Sequence, residues 1–201
     1  FDYPRIVYIN KMDRENASFQ RCLDQLQQIY GTSVVPFQLP VGEEHDFRGV
    51  VDLVAGKAYV YGENGEAKET EVPEGMSEMV QAARDKVIEG AAEASDELME
   101  KYLEGEELAE DEVLSALLSG VLQGAIVPVL CGSATHNIAV DLLADAVVNS
   151  LPSPARLDEV TGKKRGSEEE ISFKARDDSP LAALVFNTIS DPYVGKLTYF
   201  R

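Results

Sequence analysis

The sequence contains no tryptophan and only two cysteines, Cys22 and Cys131, which lie far apart and outside any CxxC pattern. Neither cysteine has a histidine at the spacing of metal ligands, so we expect two reduced, buried thiols and no metal site. The sequence also lacks a signal peptide and the run of roughly 18 apolar residues that a membrane helix requires. These absences exclude a disulfide-rich secreted protein and a membrane-spanning one, and they predict a globular protein of the cytoplasm.

Basic residues are scarce: 18 lysines and arginines accompany 36 aspartates and glutamates, which gives a formal net charge of −18. This balance argues against a direct nucleic-acid surface over most of the chain. The acid is concentrated between Glu63 and Glu112, where 18 acidic residues accompany four basic ones. Such a stretch is either a solvated face or a surface that steers a basic protein partner.

Two segments have the order strand, loop, helix, which is half of a βαβ unit. In the first, residues 5–9 form a nearly continuous apolar run, typical of a parallel strand buried on both faces. A polar turn and an amphipathic helix follow. We expect Asn16 to cap the start of this helix and Gly31 to end it.

The second segment repeats this order near residue 130. Residues 125–130 are a predicted buried strand, residues 131–137 a loop, and a helix begins near Ile138 and ends before Pro152. Ligands of open α/β sheets bind outside the carboxyl ends of the strands. The loops after both strands are therefore placed to contact a ligand.

Between these segments the pattern changes to short strands followed by helices, which predicts an α+β insertion inside an α/β domain. The predicted strands cover residues 34–41, 49–54, 57–61 and 68–72, and the apolar stripes of the helices run from Met76 to Ile88, from Leu98 to Leu103 and from Val113 to Leu122.

The last part of the chain begins with residues 156–179, which are charged and poor in large apolar side chains, as in a linker. Residues 181–186 and 196–200 are predicted strands joined by a turn at residues 191–195. The chain starts without a methionine and ends inside a predicted strand. We therefore expect it to be cut from a longer protein.

The first candidate loop is Asn10-Lys11-Met12-Asp13. The carboxylate of Asp13 has two acceptor oxygens, which can take the adjacent N1 and N2 donors of guanine, whereas adenine lacks that donor pair. Asn10 can tie the loop to its neighbours and reach the base edge, and the aliphatic stem of Lys11 can cover the ring face. The alternative is a polar turn in which Asp13 caps a helix.

The second candidate loop is Cys131-Gly132-Ser133-Ala134. Backbone N–H groups after Gly132 can donate to guanine O6, which adenine replaces by an amino donor. Ser133 can hold the loop or form a hydrogen bond to Asp13. The alternative is a small-residue turn with no ligand.

The string Ile9 to Arg14 resembles the base-specificity motif of translational GTPases, and Cys131 to Ala134 is similar to their second base-contacting loop. The resemblance to the elongation factor G family extends nearly from end to end. It includes the strings FRGVVDLV from Phe47, AAE from Ala91, ELMEKY from Glu97, LPSP from Leu151 and DPYVG from Asp191.

This resemblance implies the C-terminal half of a P-loop-type G domain with an α+β insertion, followed by the first strands of a β-barrel domain. The G domain would comprise residues 1–31 and 125–155, the inserted subdomain residues 32–124, and the linker with the truncated barrel residues 156–201. The nucleotide-binding residues implied are Asn10, Lys11, Asp13, Ser133 and Ala134.

The resemblance also implies a cytoplasmic parent protein that binds GTP or GDP and hydrolyses GTP to drive translocation on the ribosome. Its acidic insertion would contact the ribosomal stalk protein. No G-x-x-x-x-G-K-[ST] motif is present, so the groups that hold phosphates and Mg²⁺ are expected outside this chain. We therefore expect no catalytic residue here and no hydrolysis by this chain alone.

Two alternatives remain open. A ribosomal-protection protein or a release-factor GTPase shares both loops. An acidic protein-interaction module without nucleotide binding would instead use the segment from Asn10 to Asp13 only as a helix entry.

Overall fold

The computed structural model describes residues 3–62, 64–106, 108–153, 155, 159–163, 166, 169–176 and 178–201. The chain forms two compact units, Phe1–Leu151 and Pro152–Arg201. The mixed α/β class predicted from the sequence is confirmed. Within the described ranges, no helix has both the length and the apolar character needed to cross a membrane.

The first unit contains a parallel sheet, an antiparallel sheet and helices that share one hydrophobic core. Its strands are β1 (Val7–Ile9), β2 (Val34–Pro36), β3 (Gln38–Val41), β4 (Gly49–Asp52), β5 (Lys57–Tyr61), β6 (Ala67–Thr70) and β7 (Val127–Cys131). Its helices are α1 (Phe19–Tyr30), α2 (Ser77–Glu93), α3 (Asp96–Glu104), α4 (Glu110–Leu122) and α5 (Val140–Ser150).

The parallel sheet has the order β1-β7-β2, so β7 is paired on both of its edges. Every residue of β7 is buried, as the apolar sequence of a central parallel strand requires. Ile9 lies opposite Cys131 in the β1–β7 register, and Pro36 lies opposite Val129 in the β2–β7 register. The predicted strands at residues 5–9 and 125–130 are thereby confirmed, with shorter or shifted ends. The predicted burial of the first strand on both faces is wrong, because β1 lies at the end of this sheet and is only partly buried.

The start of α1 corrects the predicted cap. Ser18, not Asn16, precedes the helix in an extended conformation, and its hydroxyl accepts a hydrogen bond from the backbone N–H of Arg21 at 3.4 Å. Asn16 has a left-handed φ of 63° and donates its backbone N–H to Glu44, so it belongs to the preceding turn. Gly31 ends the helix as predicted, with a φ of 76°.

Phe37 divides the single strand predicted at residues 34–41 into two strands of different sheets. Its N–H donates to the carbonyl of Val129 in the parallel sheet at 3.0 Å, and its carbonyl accepts from Leu53 beside the antiparallel sheet at 2.9 Å. Pro36, the last residue of β2, directly precedes the point where the chain passes from one sheet to the other. Strand β2 consequently pairs with β7 in the parallel sheet, although its residues fall within the range 32–124 predicted for the inserted subdomain.

The antiparallel sheet has the order β3-β4-β5-β6, and helices α2, α3 and α4 follow it in the chain. This confirms the predicted succession of strands and then helices. Helix α2 packs closely on β2, where a Cβ on Gly90 would lie 2.9 Å from a methyl group of Val35. The division into domains inferred from the sequence stays a prediction.

The second unit consists of two antiparallel pairs, β8 (Val160–Lys163) with β9 (Glu170–Phe173), and β10 (Val185–Asp191) with β11 (Gly195–Phe200). The predicted turn at residues 191–195 is confirmed. The carboxylate of Asp191 accepts hydrogen bonds from the backbone N–H groups of Tyr193 and Val194 at 2.8 and 2.9 Å. Gly195 then takes a φ of 82°.

The β8–β9 pair corrects the prediction of a linker at residues 156–179. These strands carry few large apolar side chains, so their composition is that of a loop although their backbones pair. The linker's residues 156–158, 164, 165, 167, 168 and 177 lie outside the described residues. The strand predicted at residues 181–186 begins only at Val185 and continues to Asp191.

Candidate functional site

The two candidate loops leave neighbouring strands at the same edge of the parallel sheet. The hydrogen-bond ladder continues beyond the strands: the N–H of Gly132 donates to the carbonyl of Ile9 at 3.1 Å. The N–H of Met12 in turn donates to the carbonyl of Gly132 at 3.2 Å. The two candidate loops therefore contact each other at this edge of the sheet.

Asn10 joins the loops through its side chain. Its Oδ1 accepts a hydrogen bond from the N–H of Lys11 at 2.8 Å and another from the N–H of Ala134 at 3.0 Å. The second bond connects positions 124 residues apart in the sequence. One amide oxygen thus fixes the distance between the loops, which a hydrocarbon side chain of similar size cannot do.

Lys11 and Met12 occupy opposite environments within the first loop. Lys11 is exposed and has a left-handed φ of 64°, a conformation that costs a non-glycine residue roughly 1 kcal/mol. Met12 is only 1% exposed and belongs to the hydrophobic core. Burial of Met12 anchors the turn on which Lys11 and Asp13 are presented.

Asp13 has a nearly buried carboxylate, with 11% of its side chain exposed. Its Oδ2 lies 3.4 Å from Nε of Arg14 and 3.5 Å from Nε2 of His136. Its Oδ1 is buried and accepts no hydrogen bond of ordinary geometry from the residues that the structure describes. A buried acceptor without a donor is costly unless a ligand supplies one.

The pKa of Asp13 lies below its usual range. The main cause is the nearby Ser133 hydroxyl, which stabilises the ionised form. Burial acts in the opposite direction, while the backbone N–H of Asp13 and the neighbouring side chains of His136 and Arg14 lower the pKa further. Asp13 is therefore an ionised, acceptor-only group at neutral pH.

The second loop has no room for a larger residue at Gly132. A Cβ at this position would lie 2.1 Å from the Tyr8 hydroxyl and 2.5 Å from the carbonyl oxygen of Ile138. Ser133 is fully buried, its hydroxyl accepts the N–H of His136 at 3.4 Å, and its backbone pairs with that of Ile138. Ala134 is exposed beside it.

All five predicted site residues, from Asn10 to Ala134, lie along this edge of the sheet. The sequence analysis missed His136, whose ring approaches Asp13. No motif marked it, and only its position two residues beyond Ala134 could have suggested it. In the described part of the chain, no group of three or more His, Cys, Asp or Glu side chains is arranged to hold a metal ion.

Comparison with known proteins identifies the family. The model of the family described as elongation factor Tu GTP binding domain matches residues 1–153. A protein from Thermus thermophilus, known from its crystal structure, is 31% identical, with a TM-score of 0.76. The match covers 100% of this chain and 27% of the Thermus chain, so this sequence spans about a quarter of that protein.

The fold, the paired loops and these matches define the class as translational GTPases. Within that class, the chain belongs to the family of the elongation factor Tu GTP-binding domain.

The lowered pKa of Asp13 predicts a specific pH dependence of stability. Because the folded-state pKa is below the ordinary aspartate value of 3.8, ionised Asp13 stabilises the fold above pH 3.8. This contribution is lost as the pH falls through the folded-state pKa. In urea unfolding, the free energy of unfolding of the wild type should therefore fall relative to that of Asp13→Asn as the pH is lowered from 6 to 3.

The variant Asp145→Asn, at an exposed residue of α5, controls for the loss of one negative charge. A difference between the wild type and Asp13→Asn that stays constant over this pH range contradicts the lowered pKa.

Proposed function

We propose that this chain is the guanine-recognition part of an elongation-factor-G-like translational GTPase. It would form the C-terminal half of the G domain, with the inserted subdomain and the start of a β-barrel domain. The observation that carries the proposal is the buried Asp13 carboxylate beside the second loop, whose Oδ1 accepts no hydrogen bond of ordinary geometry from the described residues. The donors that guanine presents on N1 and N2 suit this carboxylate.

Selectivity for guanine follows from the same carboxylate. Adenine presents an acceptor where guanine has its N1 donor, so adenine would leave the buried Oδ1 without a partner. Sites that bind a ligand through a buried polar group reject analogues lacking the complementary group strongly. The side chains of Arg14 and His136 beside Oδ2 do not prevent binding, because each carboxylate oxygen has more than one lone pair.

The second loop contributes a donor through Ala134. Its N–H is exposed on the loop and bonds to Oδ1 of Asn10 at 3.0 Å. The N–H of Ser133 already pairs with Ile138, so Ala134 is the better donor to guanine O6. We propose that the Ala134 N–H is shared between Asn10 and O6, as in other three-centre hydrogen bonds.

Lys11 would form one face of the proposed guanine site. Its side chain is exposed, and the left-handed backbone at this position directs the loop outward from the buried Met12. The aliphatic stem of Lys11 would cover one face of the purine while its ammonium group stays in water.

The parent protein would bind GTP and GDP with Mg²⁺ and hydrolyse GTP. The phosphate and magnesium ligands would lie outside this chain, so the chain alone would not hydrolyse GTP. We place the parent in the cytoplasm, on the ribosome, where hydrolysis drives translocation. A translocation assay of the whole protein separates this role from those of ribosomal-protection and release-factor GTPases.

The acidic inserted helices would contact the ribosomal stalk protein. Leu103 on α3 is 76% exposed, and Met79 on α2 is 58% exposed, both among acidic neighbours. Exposed apolar side chains within a charged surface are a feature of protein-interaction sites. A basic partner surface suits the negative charge of these helices.

Binding of the base alone should be weak but selective. Without phosphate contacts, a few hydrogen bonds give at best about millimolar affinity. Titration of the ¹⁵N-labelled chain with GMP should shift the amides of Lys11, Asp13 and Ala134, whereas AMP at the same concentration should not. Isothermal titration with GDP at micromolar concentrations should detect no binding.

Equal shifts with AMP and GMP, or shifts confined to other surfaces, exclude this site as a guanine slot. Micromolar GDP binding to the chain would show that the affinity does not come from the phosphate-binding half.

In the whole protein, Asp13→Asn should change the base preference from guanine toward xanthine. The amide of asparagine supplies a donor where xanthine presents its C2 carbonyl, whereas the carboxylate supplies only acceptors. We expect the ratio of the GDP to the XDP dissociation constant to rise by about 100-fold or more. Competition of the two nucleotides against a fluorescent analogue measures this ratio, and unchanged guanine selectivity removes Asp13 from its proposed role.

A further inference from the structure

Tyr61, the last residue of β5, brings the inserted sheet into contact with the segment that follows the second loop. Its side chain is buried, and its hydroxyl donates a hydrogen bond to Oδ1 of Asp141 at 2.6 Å. Asp141 lies in the first turn of α5, directly after the loop. The hydroxyl therefore bonds to the segment that follows the loop.

The turn between β5 and β6 makes a second approach to this loop. A Cβ added to Gly65 would lie 2.8 Å from Nδ2 and 3.1 Å from Cβ of Asn137. Only a glycine, with its φ of 74°, lets the turn come this close. The β5–β6 hairpin thus contacts this segment at Asn137 and again at Asp141.

The loop needs such support because its backbone is strained. Asn137 and Ala139 have φ values of 55° and 60°, in the left-handed region that non-glycine residues rarely adopt. Conformations of this kind persist where the surrounding structure over-determines them. Ala139 is fully buried, so it cannot relax toward solvent.

The support given by the G-domain side of the molecule is limited. The backbones of Ser133 and Ile138 exchange hydrogen bonds of 3.0 and 2.9 Å, which closes the loop on itself. The Tyr8 hydroxyl donates to the carbonyl of Ile138 at 3.4 Å, a long hydrogen bond. The bond from Tyr61 to the Asp141 carboxylate is shorter and charge-assisted, hence stronger.

We propose that Tyr61 of the inserted sheet is a positioning residue for the base site, because it holds the segment Gly132 to Asp141 in the conformation that presents Ser133 and Ala134 to Asp13. Its effect on base binding rests on the function proposed above. Its effect on the loop does not, because that effect follows from contacts present without any ligand.

The test removes only the hydroxyl, by Tyr61→Phe, and uses Tyr59→Phe on the same strand as the matched control. Amide hydrogen exchange is measured in the chain without nucleotide, with the buried β4 residues Val50 and Val51 reporting global opening. We expect Tyr61→Phe to speed exchange of the Ile138 and Ala139 amides by about fivefold or more relative to those of β4. Tyr59→Phe should leave this ratio unchanged.

The acceptor is tested by two substitutions of Asp141. Asp141→Ala should reproduce the effect of Tyr61→Phe, and the double variant should be no worse than either single one. Asp141→Asn keeps an acceptor oxygen and should restore most of the protection.

The effect of Tyr61 on base binding is tested by titrating the same variants with GMP. Tyr61→Phe should weaken GMP binding by about fivefold, while Tyr59→Phe binds as the wild type does. If the Ile138 and Ala139 amides of Tyr61→Phe exchange as in the wild type, or faster only in proportion to those of β4, Tyr61 does not position the loop. Absence of GMP binding in the wild type overturns the proposed function instead, and the exchange data still decide the role of Tyr61.

Discussion

The parallel pairing of β1 with β7 is the interaction on which the site depends. It places Ile9 opposite Cys131, so the next residues of both strands leave the sheet at one edge. Asn10 then bonds across to Ala134, and Ser133 sits against Asp13. A shift of this register by one residue would turn the side chains of one strand to the other face and separate the two loops. The proposed base site thus follows from the pairing of the partly buried β1 with the fully buried β7.

The segment between these loops in the sequence contacts the residues that follow the second loop. Phe37 connects the parallel sheet to the antiparallel one, and Tyr61 connects the antiparallel sheet to the start of α5. This segment therefore shares the hydrophobic core with the parallel sheet and is linked to it further by these two contacts. A ligand that displaces β5 and a base that orders the second loop would, by linkage, affect each other's binding equally.

The sequence predicted the elements whose patterns are strong and local. The buried strands, the amphipathic helices and the two loops were found because apolar periodicity and turn residues mark them. It did not predict features that depend on distant partners. Asn16 and Ser18 are both good caps, and only the bond to Glu44 decides between them. The division at Phe37 and the approach of His136 to Asp13 likewise arise from tertiary contacts, which no local pattern encodes.

The central claim is that the turns at Asn10 and Gly132 form one slot for a guanine base. The most direct measurement is a crystal structure of this chain with GMP at a concentration well above its dissociation constant. We expect the N1–N2 edge of the base to lie on the Asp13 carboxylate, with O6 facing Ala134 and one ring face against Lys11. A base bound elsewhere, or bound here with its N1–N2 edge turned to solvent, would contradict it.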